Sequence, residues 1–466
     1  MRTHLLLSFF LVIALLAGFL ISQYPPTILI YMTLALAIFI VSFVKIDWGL
    51  YILIFSMLLS PEITIGDTAG ASLGRGVTLR FEDFLLIIIG LSWFAKNAVN
   101  KELGLFLKTP LNKPIFFYIL ACIISTGLGI MMGGVKAKTG TLFVLKYIEY
   151  FIVYFMIVNH VKSADQIKRF IFCLLLTCFI VSVIGLMQIP GVERVSAPFE
   201  GEGGEPNTLG GYLLFLGAIA AGLFLKTEDN RSRYLSIFLI LAILPPFLFT
   251  QSRASYLGLI VTVFVIGLST RHRLVISGIL TVILLSSPLL LPQQVKDRIL
   301  YTFTQPEEAG QIHVGSIHLD TSTSARVASF KKIMEDWPKR PIFGYGVTGY
   351  DFLDSQYPRV LIETGILGLI MFLYLLYAVL KLAIDHMKKI TSPYFKGLSI
   401  GFFAGFVGLL FHALGANTFI IVRIMEPFWF LAGIIAVLPA VERQSQEQLQ
   451  EDPPPVRRFA SANKRL

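Results

Sequence analysis

Runs of about 17–25 apolar residues recur along this chain, each long enough to cross a bilayer as a helix. In hydrocarbon every backbone N–H and C=O must find a partner within the protein, so only helices and closed barrels span it. A barrel strand needs only about 9–11 residues, so runs of this length point to helices. Composition agrees: 55% of residues are hydrophobic and 15% charged, against about 25% charged in soluble domains, and mean hydropathy is +0.74. The 39 Phe and 17 Tyr fit lipid-facing helices with aromatic belts.

The pattern predicts an all-α polytopic membrane protein with about fourteen transmembrane helices: 5–22, 27–44, 48–64, 81–95, 115–132, 141–158, 168–189, 208–225, 234–250, 254–270, 274–291, 360–380, 397–415 and 419–439. The first run follows Met-Arg-Thr-His and imitates a signal peptide. No small-x-small cleavage site precedes Gln23-Tyr24-Pro25-Pro26, so it reads as an uncleaved helix. Cys122, Cys173 and Cys178 all fall inside expected spans. They read as small core residues, with neither a disulfide framework nor a metal site.

Charge orients the bundle. If the chain starts inside, the cytoplasmic loops hold Lys96, Lys101, Lys108, Lys113, Lys162, Arg231, Arg233, Arg271, Arg273, Lys388 and Lys389. One loop on the opposite side carries Glu193, Glu200, Glu202 and Glu205. This asymmetry follows the positive-inside rule. It predicts a multi-pass protein of the bacterial cytoplasmic (inner) membrane with both termini cytoplasmic. The formal net charge of +10 then faces anionic headgroups, and nucleic acid is not an expected partner.

The expected organisation is helices 1–11 over residues 1–291, an extracytoplasmic loop over 292–358, helices 12–14 over 359–440, and a disordered cytoplasmic tail over 441–466. A loop this long is usually functional or disordered. Within it, SARVASFKKIMEDW places Val327, Phe330, Ile333, Met334 and Trp337 on one helical face. Pro338 ends that helix, and Gly344, Gly346 and Gly349 in PIFGYGVTGY permit a tight turn. The loop is thus expected to lay a short amphipathic helix over the outer mouth of the bundle.

Charges from distant parts of the chain reach that same outer level. Arg253 stands alone between two apolar runs in PPFLFTQSRASYLGLIVTVFVIG. A charge near the bilayer core costs roughly 2.5–3.5 kcal/mol on insertion scales, so it is expected to face a partner, a wet cavity or an anion. Arg75, Arg80, Glu82 and Asp83 open span four, Lys146 and Glu149 lie in span six, and Arg326 opens the loop helix. Asp354, Arg359 and Glu363 lead into span twelve, and Arg423 and Glu426 into span fourteen. Guanidinium groups suit phosphate because the planar fork stays charged and donates bidentate hydrogen bonds.

Structural roles compete with these. Lys146 with Glu149 (i, i+3) and Arg80 with Asp83 could be simple pairs. Lys331, Lys332, Lys339 and Arg340 fit a solvated or headgroup-facing edge, His412 a packed helix contact, and Arg253 a snorkelling helix end. His313 and His318 lack the further ligands of a metal site. Asn207 can simply cap span eight, and the Glu-rich loop at 200–205 reads as flexible, although its oxygens could bind a divalent cation.

Four stretches, in order, resemble the bacterial O-antigen polymerase and O-antigen ligase superfamily: GLMQIPGVERVSAPFEGEGGEPNTLGGYL, TQSRASYLGL, ARVASFKKIMEDWPKRPIFGYGVTGY and DSQYPRVLIETGILGLI. They cover roughly residues 185 to 370. The resemblance implies a membrane enzyme that acts on lipid-linked glycans outside the cytoplasmic membrane. Ligases of this superfamily usually carry a His-Asn pair ahead of the closing Glu-x-Gly; Asp354 and Ser355 stand there in this chain. A polymerase-like member is therefore expected over a standard ligase.

The expected donor is a glycan on a polyprenyl diphosphate, an anionic leaving group that needs no protonation. Arg253 and Arg326, with Arg80 and Arg359 as weaker candidates, would stabilise the charge growing on the diphosphate. Asp354, and after it Glu363, would take the proton of the attacking hydroxyl. No cofactor or metal is expected, and the partners are membrane lipids and other polysaccharide assembly proteins. A lipid-linked oligosaccharide flippase or secondary transporter has the same gross features but would show repeats and midplane charges. A structural export protein would have no need of the arginines.

Overall fold

The computed structural model describes residues 26–65, 77–99, 108–200, 204–269, 293–305, 311, 313–314, 317–318, 321–351 and 353–451. In chain order these form α1 (Pro26–Val44), α2 (Ile46–Leu59), β1 (Glu62–Ile65), β2 (Val77–Arg80), α3 (Phe81–Val99), α4 (Asn112–Met131), α5 (Ala137–His160), α6 (Ala164–Gln188) and α7 (Pro206–Lys226). Then follow α8 (Asn230–Phe249), α9 (Arg253–Leu268), α10 (Gln293–Thr304), β3 (His313–Val314), β4 (Ile317–His318), α11 (Thr321–Asp336), α12 (Gln356–Lys389), α13 (Pro393–His412) and α14 (Val422–Glu451). Among the described residues, 8 helices are long and apolar enough to cross a membrane: α4 to α8 and α12 to α14. Three more apolar helices are shorter: Ile30–Val44 within α1, α2 and α9.

The expected spans two to ten and twelve to fourteen each overlie one of these helices; 5–22 and 274–291 lie outside the described residues. The third span needs correction. Its helix stops at Leu59, and residues 62–65 pair antiparallel with 77–80, Glu62 opposite Arg80. Pro61 explains the stop, because the residue before a proline is pushed out of the helical region, and Ser60 is extended (φ −87°, ψ 139°). The tail differs too: α14 continues through residues 441–451. Its Glu- and Gln-rich sequence favours helix, and Glu442 anchors it by accepting from the backbone N and hydroxyl of Thr391 at 3.2 and 3.1 Å.

α14, α7 and α13 form the middle of the bundle, with 83%, 78% and 67% of their apolar windows buried. α7 and α13 touch backbone to backbone. A Cβ on Gly222 would lie 2.3 Å from Gly397 O, and one on Gly401 would lie 2.6 Å from Ala218 O. Small residues replace the hydrophobic effect as the means of close helix packing in lipid. Phe402, Phe406, Phe419 and Phe428 then fill the space between α13 and α14 with mutual ring contacts. Helices at the rim expose Phe116, Leu120, Phe238, Leu241, Leu257, Phe264, Ile370 and Leu373, the outward apolar surface of a membrane bundle.

The helices alternate in direction, so their connections gather at two ends. One end carries Lys96, Lys108, Lys113, Lys162, Arg231, Arg233, Lys388 and Lys389. The other, here the site end, holds Ser60, Arg80, the 189–200 segment, the Thr250–Ser252 turn, α11 and the 413–421 connection. Hydrogen bonds tie these together: Arg423 Nη2 donates to Ser60 O at 3.1 Å and Nη1 to Pro198 O at 2.5 Å, and Val195 N donates to Phe249 O at 2.9 Å.

Candidate functional site

Arg253 is the first residue of α9, and the turn before it is held from three sides. Gln251 sits in the left-handed region (φ 50°). Arg194 donates from Nε to Thr250 O at 3.2 Å and from Nη2 to Gln251 O at 3.4 Å, while Gln251 Nε2 donates to Glu193 O at 2.9 Å. Ser252 caps α9 by accepting from Ser255 N at 3.2 Å and donates from Oγ to Asn207 Oδ1 at 2.7 Å. Asn207 is therefore not the cap of α7, whose N-cap is Glu205 without a side-chain cap bond; it holds the Arg253 turn instead. Gly210 lets α7 approach this turn, since a Cβ there would lie 2.1 Å from Ser255 Oγ. A guanidinium on a helix N-terminus is at the positive end of the helix dipole. Both features attract an anion, and helix N-termini are ready-made anion sites.

α11 meets this turn from the loop. Gln305 Oε1 accepts from Thr321 N at 2.8 Å and fixes the start of the helix. Arg253 Nη1 donates to Thr323 Oγ1 at 3.2 Å. Arg326 lies three residues beyond Thr323, on the same side of α11, and its buried Nε has no hydrogen-bond partner among the described residues. The fold therefore brings Arg253 to the first turn of α11, the helix that also carries Arg326. The apolar face expected of this helix is only partly used. Ile333 is 1% exposed and packs with Leu353 and Ile362, whereas Val327, Phe330 and Met334 stay 44–51% exposed. Ile333 anchors α11 on Ile362 of α12, with Trp337 packed beside it.

Arg359 and Glu363 form a latch instead of an open pair. Arg359 Nε donates to Glu363 Oε1 at 3.1 Å, with side chains 9% and 7% exposed. The same oxygen accepts from Thr348 N at 3.1 Å, and the carbonyl of Glu363 accepts from Gly346 N at 2.7 Å. α12 is broken at Gly365 (φ 68°, ψ −173°). The PIFGYG segment supplies the missing backbone partners: Ile366 N donates to Pro341 O at 2.8 Å and Tyr345 N to Ile362 O at 3.0 Å. Gly365 is required here, because a Cβ would lie 2.2 Å from Ile342 O. The Glu-x-Gly signature and the glycine-rich segment are two halves of one joint. Asp354 sits half-buried in the bend before α12 and makes no hydrogen bond or ion pair among the described residues.

Arg80 belongs to a separate buried cluster. Its Nη1 lies 3.4 Å from Glu82 Oε1, and its backbone N donates to Asp83 Oδ2 at 2.8 Å. The pairing differs from both sequence alternatives. Asp83 takes Lys146, at 2.7 Å, in place of Arg80, and Lys146 does not pair with Glu149. Ser60 Oγ donates to Glu82 Oε2. Arg75 lies outside the described residues.

The roles of Arg194, Asn207, Gln251 and Thr323 escaped the sequence reading. Asn207 and Gln251 stand within the quoted motifs, but only contacts between distant segments give them partners. Among the described residues, no group of three or more His, Cys, Asp or Glu side chains is placed to hold a metal ion. His412 is fully buried with Nδ1 2.7 Å from Thr418 Oγ1, a packed helix contact.

A comparison with protein families matches residues 246–373 to the family described as O-antigen ligase. The match contains Arg253, Thr323, Arg326, Asp354, Arg359, Glu363 and Gly365. No curated protein matches the chain. Its apolar helices make the chain a multi-pass membrane protein, and over residues 246–373 it is similar to the O-antigen ligase family, which supports the O-antigen polymerase and ligase superfamily.

Proposed function

We propose that the protein is a glycosyltransferase that transfers or polymerises glycan from a polyprenyl-diphosphate-linked donor on the outer side of the bacterial cytoplasmic membrane. The observation that carries this reading is the meeting of Arg253 and α11. A guanidinium on a helix N-terminus, hydrogen-bonded to Thr323 on the helix that also carries Arg326 with its buried, unpartnered Nε, offers donors for a diphosphate. The charge asymmetry supports the orientation: the Lys- and Arg-rich end would face the cytoplasm and the site end the exterior, with both termini cytoplasmic.

In this mechanism Arg253 and Arg326 stabilise the charge that grows on the diphosphate as the anomeric bond breaks. Asp354, whose carboxylate is uncommitted among the described residues, takes the proton of the acceptor hydroxyl. Glu363 and Arg359 are engaged with each other, so they position the loop; Arg80 contributes to the field from its own cluster. Asp354 and Ser355, where ligases carry His-Asn, favour polymerisation over ligation. Full-length protein with Arg253→Ala is expected to insert normally and to produce no extended glycan. Normal-length glycan from that variant would refute the assignment. Purified protein in detergent should enlarge a lipid-linked glycan, an outcome a flippase cannot give without two compartments.

A further inference from the structure

The charged cluster beside α14 lies outside the matched stretch, and among the described residues carboxylates outnumber cations. Five carboxylates, Glu82, Asp83, Glu149, Glu200 and Glu426, face three cations, Arg80, Lys146 and Arg423. Among the described residues, five minus three leaves two negative charges in excess if all are ionised. Glu82, Arg423 and Glu426 are 0% exposed. Each uncompensated ion held this deep costs several kcal/mol. On α12, Arg359 is paired with Glu363.

Two details of geometry show where the imbalance sits. Both carboxyl oxygens of Glu426 are buried with no hydrogen-bond partner among the described residues, and so is Glu149 Oε1. Among the described residues, Glu82, Glu149, Asp83 and Lys146 act electrostatically on Glu426. Lys146 is already bound by Asp83, and Arg423 by the carbonyls of Ser60 and Pro198. The side chain of Glu149 also lies within hydrogen-bonding reach of Asp83. Two carboxyl groups can share a hydrogen bond only when one of them holds a proton. A neutral carboxyl also tolerates an apolar surrounding that an ionised one does not.

We propose that Glu149 and Glu426 form a buried proton-binding site at the site end of the bundle, with Glu149 donating its proton to Asp83. The bound protons leave both carboxyls neutral next to the Asp83–Lys146 and Glu82–Arg80 pairs, so their occupancy follows the charge state of those neighbours. It stands apart from the Arg253 and α11 meeting point and does not depend on the glycosyltransferase reading.

The test is infrared spectroscopy of the full-length protein in lipid nanodiscs at neutral pH. The wild type is expected to show the C=O stretch of protonated carboxylic acid. Glu426→Gln and Glu149→Gln should each remove part of that band, and the double variant should remove both parts. Each variant should elute as folded protein, because an amide has the shape and neutrality of a protonated carboxyl. A wild type without the band, a double variant with the band intact, or glutamine variants that fail to fold would each overturn the proposal. Loss of the wild-type band when sodium or magnesium is added to cation-free protein would also overturn it, in favour of an inorganic cation.

Discussion

Replacing Glu363 with alanine removes the counter-charge of Arg359 and the acceptor of Thr348 N in one step. The pair is nearly dry, with side chains 9% and 7% exposed at 3.1 Å. Breaking a buried pair from one side costs about 3–5 kcal/mol, because the remaining charge is left uncompensated. The orphaned Thr348 amide adds part of a further 1–3 kcal/mol, and the two losses overlap. About 4 kcal/mol raises the population of the detached loop roughly a thousandfold. The assay is hydrogen exchange of the Tyr345, Gly346 and Thr348 amides in the full-length protein in detergent. The alanine variant should lose most of the protection at these three positions. The double variant Arg359→Met with Glu363→Leu should recover it, since replacing both charges by apolar side chains of similar volume is often neutral or better. Unchanged protection in Glu363→Ala would refute the latch. Glycan extension by the double variant separates two roles: recovery with the loop means Glu363 only positions it, whereas a protected loop without extension means its carboxylate acts on substrate.

Two further outcomes follow from the same joint. Gly365→Ala forces a side chain into a backbone region that is essentially glycine-only, at about 1–3 kcal/mol, and against Ile342 O; thermal unfolding in detergent should show a lowered midpoint and exposed cleavage sites near Pro341. At the end of α11, Asp336 accepts from Lys339 and Tyr350, and these bonds hold its carboxyl below the ordinary carboxylate range. A depressed carboxyl supports the fold above its unfolded value and loses that support as pH falls through its folded value. Exchange protection at the end of α11 should therefore weaken on acidification in the wild type, and Asp336→Asn should flatten that acid limb. An acid limb that survives in Asp336→Asn would show that the weakening comes from another group.

The membrane class, helices at twelve of the expected positions (the third span shorter than expected, and 8 of the described helices long and apolar enough to span) and the charge asymmetry of the two ends were legible in the sequence, because each depends on local hydropathy or on charges summed over short stretches. The motifs around Arg253, Arg326 and Glu363 were legible as well, since the chain states them as contiguous strings. What those strings do to one another was not. Arg253 meets Thr323 across 70 positions, and Lys146 meets Asp83 across 63; no period or spacing encodes such a meeting. The sequence offered Arg80 with Asp83 and Lys146 with Glu149 as neighbours on their own helices. The bundle paired Asp83 with Lys146 instead, because burial makes the shortest compatible partner from any helix the cheapest way to neutralise a charge. The break at Gly365 likewise needed the loop to arrive, since a free backbone group inside a bundle is tolerated only when another segment satisfies it. Hydropathy thus decided which segments enter the membrane, and three-dimensional packing decided which polar groups neutralise each other there.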